Sequence, residues 1–222
     1  MKTKILKMLA LTVWAFVVII ISSSGKAKAA ERTETARGNK DTKQISKIVV
    51  EGNVNVFLTQ GIKEDIKVDD NKHATVRFKN GVLYISSFEK QKLSVSLTVN
   101  NLSAIVAGGD ANVRSMNELS TIDLEIQLKD NASAQIEAQA VNITSSLAGE
   151  SKLELAGESE NQHLNLSGES QFQANRFTTQ NRSMMVTDGA AASINQQGQS
   201  TSIQALTSMP VKESERSFRF SY

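Results

Sequence analysis

The sequence predicts an all-β fold in which short parallel strands are folded back on one another as stacked coils. Three observations carry this expectation. Of the Gly-Glu-Ser triplets, those at 149–151 and 168–170 stand 19 residues apart. Around each copy, apolar or small residues fall on every second position, at Leu147, Ser151, Leu153 and Leu155, then at Leu166, Ser170, Phe172 and Ala174. No proline interrupts Ala30–Met209, which suits a run of consecutive strands. A period of two inside a period near 19 describes strands turned at regular corners. Runs such as Ile122–Leu128 alternate at two rather than 3.6, so helix content should be close to nil.

Residues 1–29 read as a cleaved secretory signal. Lys2, Lys4 and Lys7 precede the apolar run Met8–Ile21, and Ala27-Lys28-Ala29 offers a small-residue cleavage site before Ala30. That run is short of the roughly 20 residues a comfortable membrane span needs. Residues 30–44 are charged and poor in apolar side chains, so they read as a flexible leader.

The β-helix domain is expected over 45–211. Ile48, Val50, Val54, Val56 and Leu58 alternate with polar neighbours around a Gly52-Asn53 corner, and Gly61 closes that unit. Residues 62–92 depart from the rhythm, with Asn80-Gly81 as a strong hairpin signal. They are either a small antiparallel insertion or two irregular coils, since Gly52 to Gly109 also spans three periods of 19. From Leu93 the corners fall at Gly109, Asp130, Gly149, Gly168, Asp188 and, more weakly, Thr207. Two positions after the first five of these stand Ala111, Ala132, Ser151, Ser170 and Ala190, then Met209 after the sixth. Four after stand Val113, Ala134, Leu153, Phe172, Ala192 and Val211. Each column predicts a file of inward side chains that becomes a core only when coils stack. Pro210 and the charged residues after it suit a cover for one open end, and residues 62–92 for the other. Residues 212–222 are expected to be a capping tail; their Phe-Arg-Phe-Ser-Tyr ending also resembles a recognition strand.

Charge and composition exclude several function classes. The chain carries 25 basic and 23 acidic residues, but five of the lysines lie in the signal segment. The remainder has 20 basic against 23 acidic, a net charge of −3, so no nucleic-acid partner is expected. There is no cysteine, which excludes disulfides and a lipidated cysteine after the signal. No cofactor and no metal are expected. His73 and His163 stand far apart in the chain without a ligand set around them, and Gly-Glu-Ser is unlike the Gly-x-Ser-x-Gly nucleophile elbow. No catalytic residue is therefore assigned. The N-x-S/T sequons at Asn101, Asn131, Asn142, Asn165 and Asn181 follow from an Asn- and Ser-rich composition.

The candidate ligand-binding residues are Asp110, Asn131, Glu150 and Glu169, one position beyond successive corners. Coils stack about 4.8 Å apart, which would set Glu150 beside Glu169. Such a pair could share Ca²⁺ or a carbohydrate hydroxyl, or act as an acid/base pair on a glycosidic bond. Short polar residues also occupy tight corners simply because they tolerate the backbone there.

With VEGNVNVFLTQG near its start, NGVLYIS, LSAIVAGGDANV, LAGESKLELAG and LNLSGESQFQA, the chain resembles the bacterial family called putative auto-transporter adhesin, head GIN domain. The resemblance covers roughly 45–198. It implies a right-handed single-stranded parallel β-helix at the cell envelope and carries no catalytic residues over. No β-barrel translocator is expected downstream, so the chain is not expected to be a whole auto-transporter. The expected function is non-catalytic: an exported periplasmic, cell-surface or extracellular protein binding carbohydrate or an envelope partner, without a transmembrane span in the mature chain. The alternatives are a β-helix enzyme acting on polysaccharide, which is analogy from fold, and a structural scaffold for an envelope complex.

Overall fold

The computed structural model describes residues 44–69, 74–187, 189–194 and, as backbone only, 200–206. The expected signal segment, nearly all of the leader, His73, Asp188, Thr207, Met209, Val211 and the 212–222 tail lie outside the described residues. No helix occurs among those described. The fold is all-β, one mixed 14-stranded sheet that curls into a half-barrel.

The first strands are β1 (Lys47–Gly52), β2 (Val54–Gln60), β3 (Asp65–Val68), β4 (Thr75–Lys79), β5 (Val82–Ser87) and β6 (Leu93–Val99). They are followed by β7 (Ala104–Gly108), β8 (Asn112–Ser115), β9 (Leu119–Leu128) and three long strands, β10 (Ser133–Leu147), β11 (Lys152–Leu166) and β12 (Gln171–Thr187). The described chain closes with β13 (Ala191–Ile194) and β14 (Ser200–Leu206).

Nearly all pairings are parallel. Ser133 lies opposite Lys152 and Lys152 opposite Gln171, so strand partners repeat with the period of the Gly-Glu-Ser triplets. The first part of β10 pairs with β8 and its remainder with β9, so one long strand spans two short ones joined by a turn. The columns expected to point inward do so. Ala111, Ala132, Ser151 and Ser170 are fully buried, and Val113, Ala134, Leu153 and Phe172 form the next buried file. At the last described coil the core opens, and Ala192 is exposed.

The corners share one backbone form. Gly109, Asp130, Gly149 and Gly168 have φ between 58° and 73°, the left-handed region. Asp130 is the one residue of the four with a side chain, and its Oδ2 accepts a hydrogen bond from Gly109 N at 3.2 Å. Asn and Asp reach this region by such local bonds.

Stack order differs from chain order at the first end. β1 pairs with both β5 and β7, and β2 with both β6 and β8. A Cβ at Gly109 would lie 3.0 Å from Gly52 Cα, so these two corners are direct neighbours in the stack. Their spacing of three periods is therefore a single step, because β5 and β6 run on the far side of β1 and β2. β3 lies antiparallel on β6 and β4 antiparallel on β5, giving the stack two short edge strands. Lys67, Arg77 and Lys79 sit on them, charges that discourage further strand pairing. Gln60 clasps this end to the next coil. Its Nε2 donates to Asn100 O and Ser120 O, both at 2.9 Å, and its backbone exchanges two bonds with the Asn117 amide.

The interior is not uniformly apolar. In β10 buried positions run 134, 136, 138 and 140, then 143, 145 and 147, so the alternation slips by one at 141–142. The equivalent slips fall at 160–161 and 180–181. Beyond the slip, the inward file reads Leu124, Ile143, Gln162, Arg182. Gln162 is 0 % and Arg182 2 % exposed, and Arg182 Nε donates to Gln162 Oε1 at 2.5 Å. Ser159 Oγ and Thr179 Oγ1 form a second buried polar contact at 3.0 Å.

Candidate functional site

The corner candidates stand in one exposed row. Backbone amides of Asn131, Glu150 and Glu169 donate to Gly109 O, Asp130 O and Gly149 O at 3.1, 2.9 and 2.9 Å, which fixes their spacing. Asn131 Nδ2 donates to Asp110 Oδ1 at 3.1 Å. Glu150 and Glu169 make no side-chain hydrogen bond or ion pair among the described residues. No three of the described His, Asp and Glu side chains are grouped as metal ligands. His163 is exposed on β11, flanked in its row by Thr144 and Ser183.

Two shallow clefts lie where each coil bends after its first half. One, of about 270 Å³, is lined by Arg114, Gln135, Glu137, Glu154 and Arg176. Gln135 Nε2 and Arg176 both bond the Glu154 carboxylate at 3.1 Å. The other, of about 500 Å³, is lined by Thr121, Gln139, Glu158, Glu160, Thr178 and Gln180. Gln139 Nε2 donates to Glu158 Oε1 at 2.7 Å. These are amides, hydroxyls and carboxylates repeated once per rung, a surface suited to hydrogen-bonding an extended polar partner. Motif reading missed them because they are assembled from side chains a full coil apart in the chain, none of which forms a motif alone.

Between the clefts and the next strand segment runs a ladder at the slip positions. Asn142 Nδ2 donates to Asp123 Oδ1 at 2.8 Å, Asn161 to Asn142 at 3.0 Å and Asn181 to Asn161 at 3.0 Å. Each interior amide both donates and accepts along the stack. Two of these asparagines head N-x-S/T sequons, and their place is explained by the ladder. Asn161→Ala, which severs two rungs, should lower stability by about 1–2 kcal/mol. Asn181→Ala, which severs one of the described rungs, should lose less, and urea unfolding midpoints check the order.

These features define a class: an all-β protein that, among the described residues, displays rows of outward side chains and open clefts. Within that class, residues 44–208 match the family described as putative auto-transporter adhesin, head GIN domain, and the chain belongs to it. No curated protein matches the sequence. Among solved structures, a putative adhesin from Bacteroides fragilis is 21% identical, with a TM-score of 0.64 over 74% of this chain and 80% of that one. A putative adhesin from Parabacteroides distasonis is 14% identical, with a TM-score of 0.62 over 74% and 89%. A putative lipid binding protein from the same species is 13% identical, with a TM-score of 0.54 over 74% and 90%. At these identities the likeness is one of fold.

Proposed function

We propose that the chain is a non-catalytic, exported protein of the envelope or cell surface. It is built as a right-handed single-stranded parallel β-helix over 45–211 and binds carbohydrate or an envelope partner through its outward rows. Cleavage before Ala30 releases it, and residues 212–222 cap the stack. The observation that carries the reading is the repetition of hydrogen-bonding groups along the coils, in the two clefts and in the corner row Asp110, Asn131, Glu150 and Glu169. Family membership supports adhesion as its use. In this reading the corner row is a contact surface and not an acid/base pair.

A glycan array combined with pull-down from envelope fractions tests it. Binding above background to a saccharide or an envelope component is the expected result, and silence in both contradicts it. Turnover of a polysaccharide that disappears in Glu150→Gln/Glu169→Gln would instead establish the enzymatic alternative.

A further inference from the structure

The outward rows of the first coils differ in chemistry from those that follow. One row, read across β4, β5, β1 and β7, is Arg77, Tyr84, Val49 and Val106, and it continues as Gln127, Ser146 and Asn165. The adjacent row is Lys79, Val82, Lys47 and Ala104, continuing as Glu125, Thr144 and His163. Three cations, two on the β4 edge and one in the adjacent row, therefore border an apolar strip of Tyr84, Val49, Val106 and Val82, in which Tyr84 is 43% exposed and the neighbouring Ala104 is buried. The side chains of Lys47, Arg77 and Lys79 have no ion-pair partner among the described residues. Acids near these rows make contacts of their own, Glu64 accepting a bond from Ile45 N at 2.9 Å. Glu51 pairs with Lys129 at 3.4 Å, and Glu125 accepts from Gln127 at 2.6 Å. A concentration of free positive charge on a chain that is acidic after residue 29 calls for an anionic partner.

We propose that this face binds an acidic polysaccharide, with Tyr84 stacking on a sugar ring while Arg77, Lys79 and Lys47 pair with its carboxylate or sulfate groups. The inference rests on the surface-binding reading above and names the face and the ligand class. Strand geometry sets Arg77 and Lys79 about 7 Å apart along β4, and Lys79 and Lys47 about 10 Å apart across two strand spacings. Charges so spaced engage successive acidic groups of one chain rather than a single small anion. An arginine fork grips a carboxylate or sulfate in two places, and a tyrosine offers an apolar ring with a polar tip. A lipid bilayer fits less well, because the large protruding apolar side chains lie elsewhere. Ile62, 95% exposed, follows β2, and Phe88, 79% exposed, sits at the corner after β5.

The test measures retention of the protein on polygalacturonate and dextran sulfate, with neutral dextran as control. Vesicles of phosphatidylcholine with phosphatidylglycerol, and duplex DNA, are run alongside. The protein should bind the two acidic polysaccharides and not dextran, and added salt should weaken the binding. Lys47→Gln/Arg77→Gln/Lys79→Gln should weaken it about tenfold or more, with an unchanged melting curve because all three side chains project outward. Tyr84→Ser should weaken uronate binding, and Lys152→Gln, on a different face, should leave it intact. Equal retention of wild type and triple variant overturns the proposal, as does preference for vesicles, DNA or dextran. A neutral glycan or envelope protein that binds the triple variant normally overturns this site and leaves the broader surface-binding reading standing.

Discussion

Replacing Gly157 by alanine is expected to destabilise the protein by about 3 kcal/mol or more, a large share of the roughly 5–15 kcal/mol that holds an ordinary domain together. Gly157 lies inside β11 opposite Ala138, with φ +104°. A Cβ there would stand 2.1 Å from Ala138 O and 2.9 Å from Ala138 C, and both atoms are backbone. No rotamer change relieves that overlap; the two coils would have to separate. Gly189 is the control, since its nearest neighbour would be at 3.5 Å, an ordinary contact. Gly189→Ala should move the urea midpoint by less than about 0.5 kcal/mol equivalent. Equal effects at the two glycines would contradict close coil stacking at 157.

Arg182→Ala should lower stability by about 3 kcal/mol. Arg182 is buried, and desolvation holds its pKa below the ordinary arginine value. Removing it leaves a cavity and strips Gln162 Oε1 of its buried donor. Among the described side chains the pair follows Leu124 and Ile143 in one inward file. Gln162→Leu/Arg182→Leu should recover part of the loss, because two apolar side chains pack with Leu124 and Ile143 and no Gln162 amide is left without its donor. Chemical unfolding of both single variants and the double measures the coupling. Additive losses would show that the two side chains act independently.

The inward positions on each side of a corner were legible because their period is local. Leu147, Ser151 and Leu153 repeat as Leu166, Ser170 and Phe172 without any knowledge of pairing, and all six are buried. The second half of each coil was not legible. There the alternation slips at 141–142, 160–161 and 180–181, so Gln162 reads as outward when a strict period of two is counted on from Leu153 and Leu155. The first end was hidden for a different reason. Lys47 meets both Val82 and Ala104, and neither lies one coil period along the chain from it. The corner candidates could be placed from the repeat alone. The cationic face around Tyr84 could not, since it exists only once β1 is threaded between β5 and β7.

That threading is the central claim, because it places Lys47, Arg77, Lys79 and Tyr84 on one face. The chain has no cysteine, so an engineered pair reports register without interference. Val49 and Val106 are register partners on neighbouring parallel strands, about 4.8 Å apart and within the span a disulfide bridges. The measurement is disulfide formation under mild oxidation, read on a non-reducing gel and confirmed by peptide mass. Val49→Cys/Val106→Cys should cross-link within the monomer, and Val49→Cys/Val68→Cys, one sequence period apart, should not. The reverse outcome would mean that the coils stack in chain order, and would contradict both the fold and the face derived from it.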